Sequence, residues 1–284
     1  MRLLITFLAL CLATLSLAAP GIAADPPLRV AMIPDVNPSR IIRDAKPLVA
    51  YLERETGREV ALTVPTNYAA VVEAMVNDQV DFAYLGAFTY VQAHARAGVV
   101  PVVQREIDRQ FHSLLITRAD SPIRGLADLK GKQFAFGDVN STSGHLMPSY
   151  FLRAAGYDPK TFFGRVIYSG GHDATAFAVA NGKVDAGAID ETVYRRLLEK
   201  GVIKPGQLRV FYTTPAFVDY VWAARKGLPA PVRERLKQAF LKLDADKPSD
   251  KVLLGLLRGE KFVPANDADY DRVREAARAV GLLR

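Results

Sequence analysis

The chain has 284 residues, 50% of them hydrophobic, and carries a formal net charge of +7. This length and composition allow one substantial core or two medium-sized ones. The cations, Arg29, Arg40, Arg43, Arg105, Arg118 and Arg124 among them, are scattered, with no basic stripe or aromatic interleaving. That distribution excludes a nucleic-acid surface and leaves a long-range preference for anions.

Residues Met1 to Ala13 read as one positive charge, Arg2, followed by an apolar run. The small-residue stretch Ala18 to Ala24 comes next. This is the layout of a secretory signal over residues 1–24, cut after Ala23 or Ala24, and it points to the periplasm. A retained membrane anchor is the alternative, but the apolar run is short for a span. Cys11 is the only cysteine. It lies inside the signal behind Leu10, where lipid attachment would need a small residue. The mature chain is therefore expected to have no disulfide, no thiol nucleophile and no thiolate metal site.

Strands are predicted at Leu28 to Pro34, Glu59 to Pro65 and Asp81 to Leu85, with helices from Ile41 to Thr56, from Tyr68 to Asn77 and from near Thr89. Val71, Val72, Met75 and Val76 put one face of the second helix on a core. Two strands, Val100 to Arg105 and Phe111 to Thr117, flank a polar turn. A second series follows, with strands at Gln133 to Phe136, Arg165 to Tyr168, Asp185 to Ile189 and Leu208 to Tyr212, and another at Val218 to Ala224. Its helices are expected from Leu146 to Ala155, Asp173 to Asn181 and Glu191 to Lys200. The chain from Pro231 onward is helical and charged and is expected to pack on the first series. Such alternation predicts α/β sheets. Open α/β sheets bind ligands at the carboxyl ends of their strands, so two of them facing each other define a cleft.

Between the strand Gln133 to Phe136 and its helix runs Gly137-Asp138-Val139-Asn140-Ser141-Thr142-Ser143-Gly144-His145. Consecutive hydroxyl side chains at a helix mouth, with unpaired first-turn N–H groups and the positive end of the helix dipole, form a site for a small oxyanion. The same residues also read as an ordinary N-cap with polar loop neighbours. Taken alone, the segment leaves both readings open.

Asn67 to Met75, Asp81 to Ala93, Leu126 to Lys132, Asn140 to Leu146 and Gly182 to Gly187, in this order across nearly the whole mature chain, resemble the phosphonate-binding family of periplasmic proteins. These are the substrate-binding proteins of phosphonate and phosphite uptake transporters, with the type 2 periplasmic binding fold. The resemblance implies two lobes of mixed α/β sheet joined by a two-strand hinge, here 25–117 plus 219–284 and 118–218. It implies that Ser141, Thr142 and Ser143 hold a phosphorus oxyanion and that Tyr68 and Tyr90 reach it from the other lobe. His172 matches a ligand-contacting histidine, and Glu191 and Asp219 match carboxylates that face the ligand. No cofactor is implied; the expected partner is an inner-membrane ABC permease, and the protein is expected to act as a monomer.

Each of these residues also has a plainer role. Tyr68 could be a hydrophobic staple, Tyr90 a core aromatic, and His172 a loop residue beside the helix cap Asp173. Glu191 and Asp219 could be capping or surface acids; His145 could brace the oxyanion loop from behind. A carboxylate in an anion site repels a fully deprotonated ligand, but it accepts a hydrogen bond from P–OH or pairs with a ligand ammonium. Arginine is absent from this set, so binding would rest on hydroxyls, amides and dipole. Two other functions compete: an anion sensor for a membrane histidine kinase, and an exported phosphoester hydrolase. The hydrolase would need a metal cluster or an activated nucleophile, and the four histidines, His94, His112, His145 and His172, have no ligand-like spacing.

Overall fold

The computed structural model describes residues 25–283. The predicted signal, 1–24, lies outside the described residues. The first strands are β1 (Leu28–Met32), β2 (Val60–Thr63), β3 (Phe82–Leu85) and β4 (Val100–Arg105). Then come β5 (Ser113–Arg118), β6 (Gln133–Phe136), β7 (Arg165–Tyr168), β8 (Ala186–Asp190) and β9 (Leu208–Thr213), followed by β10 (Val221–Ala224) and β11 (Phe262–Pro264). They form two mixed sheets, a six-stranded one in the order β11-β4-β10-β3-β1-β2 and a five-stranded one in the order β7-β6-β8-β5-β9. In the first, β1 runs parallel to β2 and β3, while β10 is inserted antiparallel between β3 and β4. In the second, β6 is parallel to β7 and β8, and β5 is antiparallel to β8 and β9.

The chain crosses between the sheets twice, from β4 to β5 and from β9 to β10. At the crossing Phe111 and Phe217 exchange backbone hydrogen bonds of 2.8 and 3.0 Å, a short antiparallel bridge. This places the lobe boundary near Phe111 and not at residue 117. The segment Ser113–Arg118 is apolar enough to be a central strand, and it pairs on both sides within the five-stranded sheet.

One core fills the first lobe, where Trp222 stacks on Phe82 at 5.0 Å and meets Phe240 at 5.0 Å. The C-terminal helices Ala230–Leu241 and Asp271–Ala279 close this core, as their apolar faces require. The second lobe has apolar clusters on both faces of its sheet, with Ile116 and Ile189 on one and Leu115 and Ala188 on the other. This is the period-two alternation of strand side chains.

The helix expected from Ile41 to Thr56 is two helices, Pro38–Asp44 and Lys46–Thr56, with Ala45 between them. Pro47 has no N–H to offer Arg43, and its ring crowds the preceding turn, so the helix restarts there.

Candidate functional site

The two sheets face each other with the carboxyl ends of β1, β3, β6 and β8 turned inward, and the loops leaving these strands line the cleft. Tyr68, Ser141, Thr142, Ser143, His172 and Asp219 come together between the lobes, each only 1% exposed.

The loop that carries the three hydroxyls starts at Gly137, whose N–H bonds the Gly144 carbonyl at 2.9 Å and closes the loop on itself. Ser141 caps the next turn by accepting the Gly144 N–H at 3.0 Å. That turn, Thr142–Leu146, is a π-helical turn with the Met147 N–H bonded to the Thr142 carbonyl, and the α-helix Met147–Ala154 follows. The sequence pattern placed an ordinary helix here; the wider turn is a form common at functional sites. It separates the hydroxyls by role. Ser141 caps the turn and meets the Tyr68 hydroxyl. Thr142 Oγ1 accepts the Phe88 N–H of the opposite lobe at 3.0 Å. Ser143 Oγ is buried without a partner among the described residues.

Tyr68 opens the helix Tyr68–Val76, capped by Asn67. Burial pushes its hydroxyl well above the ordinary range, and the charges of Asp35, Asp138 and Asp219 add to the effect. It is therefore held as a neutral donor. Asp219 Oδ1 accepts the Ala87 N–H at 3.2 Å, at the start of the helix Ala87–Ala97. Asp219 Oδ2 is buried with no partner among the described residues. Burial raises this carboxyl from 3.8 to about 7, and the charges of Asp190 and Asp108 push the same way.

His172 opens the helix His172–Ala180, and its Nδ1 accepts the Asp190 N–H at 3.2 Å. A backbone N–H only donates, so Nδ1 is unprotonated and Nε2 carries the proton. Burial lowers the pKa of this ring, which keeps it a neutral donor. Nε2 lies 3.4 Å from the Tyr220 hydroxyl, which donates in turn to Asp190 Oδ2 at 2.7 Å. Asp190 caps the helix Glu191–Glu199 through Oδ1, accepting the Thr192 and Val193 N–H groups. Burial works to raise its pKa, but the charge of Arg258 leads the opposing influences and holds it at about 2. Two buried carboxyls in one cleft are thus driven to different states: Asp190 is ionised and saturated, while Asp219 is neutralisable and half-free.

Two expected residues are elsewhere. Tyr90 belongs to the first turns of the helix Ala87–Ala97 but faces the body of its lobe. Its hydroxyl donates to Asp267 at 2.6 Å and its ring lies 4.7 Å from Tyr270. The backbone of this helix start faces the cleft, while the fourth side chain along turns away. Glu191 points toward the hinge, where Oε1 accepts the His112 N–H at 2.9 Å. The carboxylate that enters the cleft from this corner is the preceding residue, Asp190. Asp190 and Tyr220 are the contributors that sequence reasoning missed, although each adjoins a residue singled out, Glu191 and Asp219. His145 lies behind the loop, as a brace would, with Nδ1 donating to the Val139 carbonyl at 2.7 Å.

The lobes are closed on each other. Besides Phe88 to Thr142, the His172 N–H donates to the Asp35 carbonyl at 2.8 Å and the Asn37 N–H to Asp173 Oδ2 at 3.1 Å. Gln92 Nε2 reaches Asn140 Oδ1 at 3.0 Å. Gly86 permits this approach, since a Cβ there would stand 3.0 Å from Thr142 Oγ1 and 3.6 Å from Asp219 Oδ1. Among the described residues no group of three or more His, Cys, Asp or Glu is placed to hold a metal ion, and no helix is long and apolar enough to cross a membrane.

Two hinged α/β lobes closed over buried polar groups define a ligand-binding protein of the periplasmic type 2 class. Residues 30–270 match the family described as ABC transporter, phosphonate, periplasmic substrate-binding protein, and the chain belongs to that family. It is similar to a probable ABC transporter phosphite binding protein, PhnD1, of Prochlorococcus marinus, with 33% identity covering 90% of this chain and 91% of that one. It is also similar to a phosphate-import protein, PhnD, of Mycolicibacterium smegmatis, with 34% identity covering 89% and 86%. Among solved structures, Prochlorococcus marinus PhnD1 in complex with methylphosphonate superposes with a TM-score of 0.84, at 30% identity, covering 90% of this chain and 98% of that one. The protein is therefore the substrate-binding component of an ABC transporter and not an enzyme.

Proposed function

We propose that the mature protein, freed of residues 1–24 in the periplasm, captures as a monomer a small phosphorus oxyanion that bears a protonatable oxygen, such as phosphite or methylphosphonate, and delivers it to an inner-membrane permease. The observation that carries this reading is that Ser143 and Asp219, one from each lobe, each keep a buried atom, Oγ and Oδ2, with no partner among the described residues. A hydroxyl donor suits the anionic oxygens, and a carboxyl whose pKa is raised to about 7 shares a proton with a P–OH group. Tyr68 adds a neutral donor, and the N-terminus of the helical segment that begins at Thr142 adds its dipole.

A ligand ammonium is poorly served here. Asp190 is already saturated by Thr192, Val193 and Tyr220, and Glu191 is turned to the hinge. Tyr220 is held in place by its stack on Tyr84 at 5.0 Å. The similarity to proteins described as binding phosphite and importing phosphate, and to one solved with methylphosphonate, supports the same ligand class.

The test is calorimetric titration of residues 25–284 with phosphite, methylphosphonate, aminoethylphosphonate, phosphate and sulfate at pH 7.5. Phosphite or methylphosphonate is expected to bind, with aminoethylphosphonate and sulfate at least about tenfold weaker, a gap of about 1.4 kcal/mol. Sulfate binding as tight as the phosphorus anions would overturn the proposal.

A further inference from the structure

Behind the oxyanion loop, and sharing no residue with the cluster in the cleft, lies a groove of about 410 Å³ between the edge strand β7, the helix Met147–Ala154 and the C-terminal residues Val280 and Leu282. Its charge is one-sided. Arg153, Lys160 and Arg165 line it against a single carboxylate, Asp158. That carboxylate is already engaged, capping the Lys160 N–H at 3.1 Å and pairing with Arg153 at 3.2 Å. Lys160 and Arg165 have no ion-pair partner among the described residues. Phe163, Val166 and the half-exposed Tyr168 ring supply the apolar side. Ser149 lines the floor; its Oγ is buried with no partner among the described residues, not even the carbonyl one turn back that a helical serine usually finds.

The groove is joined to the oxyanion loop through His145. Its Nδ1–H holds the Val139 carbonyl, and its Nε2 accepts the Tyr168 hydroxyl at 3.3 Å, with the two rings edge-on at 5.0 Å. Movement of Tyr168 therefore reaches the turn that carries Ser143.

We propose that this groove is a second binding site, for a small organic anion with a flat apolar body, of which an aromatic carboxylate is the simplest example. The carboxylate pairs with Lys160 and Arg165, and the ring lies on Phe163 and Tyr168. Occupancy alters cargo affinity through His145, and by linkage cargo alters affinity at the groove to the same extent.

The experiment is calorimetric titration of residues 25–284 with benzoate, with and without saturating methylphosphonate. Saturable binding of one benzoate is expected, weakened about tenfold or more in Lys160→Glu/Arg165→Glu and unchanged in Ser143→Ala. Benzyl alcohol, which keeps the ring and lacks the charge, is expected to bind at least about tenfold more weakly. Methylphosphonate is expected to shift the benzoate affinity about fivefold or more. The Lys160 and Arg165 side chains are exposed, and retained methylphosphonate binding shows that the double variant is folded. Absence of saturable binding, equal binding of benzyl alcohol, or loss in Ser143→Ala with retention in the double variant would each overturn the proposal.

Discussion

Asp219→Asn tests the electrostatics of the site most directly. The carboxyl is fully buried, and its rise from 3.8 to about 7 corresponds to about 4 kcal/mol of preference for the neutral acid. Between about pH 4 and about pH 7 the folded chain keeps a proton that the unfolded chain has released, so stability falls as pH rises through this window and levels off above it. From pH 5 to pH 8 the loss amounts to about 3 kcal/mol. Asparagine retains an acceptor for the Ala87 N–H and has no proton to lose. Urea unfolding of the cargo-free protein at pH 5, 6, 7 and 8 is therefore expected to show Asp219→Asn gaining on the native chain by about 3 kcal/mol over this range. Cargo affinity moves the other way, falling by about 1.5–3 kcal/mol at pH 7.5, the worth of a hydrogen bond to a charged group. Parallel stability curves for the two proteins would refute the claim that burial controls this carboxyl.

Ser143→Ala removes a buried hydroxyl that has no protein partner. Its cargo affinity is expected to fall about 10- to 100-fold while the cargo-free unfolding midpoint holds or rises; an equal fall in both would make the hydroxyl structural. Gly86→Ala places a methyl 3.0 Å from Thr142 Oγ1. Small-angle scattering with cargo present should show a less compact closed form, and titration should show weaker binding; native behaviour in both would show that the approach at Gly86 is not limiting. Tyr90→Phe loses the bond to Asp267. It is expected to lower stability by about 1 kcal/mol and leave cargo affinity within about twofold, whereas a loss beyond about tenfold would return Tyr90 to the site.

The architecture is readable in the sequence wherever periodicity is strong. The alternation of short apolar strands and amphipathic helices announces the two sheets, and Ser141-Thr142-Ser143 marks a loop that the fold buries where the lobes meet. What stays hidden depends on direction and not on residue type. Tyr90 follows Gly86 and Ala87 closely enough to suggest the cleft, yet only the helix phase decides that its hydroxyl turns to Asp267. Asp190 and Glu191 are adjacent acids at a helix start, and one residue of register separates a buried cap from a hinge contact. The lobe boundary is equally invisible, because Phe111 to Thr117 reads as one continuous strand and only the pairing separates the Phe111 bridge from Ser113–Arg118.

The same geometry bears on how cargo would govern closure under the proposed function. The lobes already meet through Phe88 and Thr142, His172 and Asp35, and Gln92 and Asn140. Closure made through these contacts alone leaves Ser143 Oγ and Asp219 Oδ2 buried and unpaired, at a cost of about 1–3 kcal/mol for each group. An open form in which water reaches both groups would not carry this cost. On the proposed reading, an oxyanion with a protonated oxygen would relieve both groups at once, and its differential affinity for the closed form would be the sum of what it relieves. Sulfate would relieve the donor and leave an ionised Asp219 facing negative charge, so it is expected to drive closure less well as pH rises above about 7. On that reading selectivity and gating would be one property of two atoms, one supplied by each lobe.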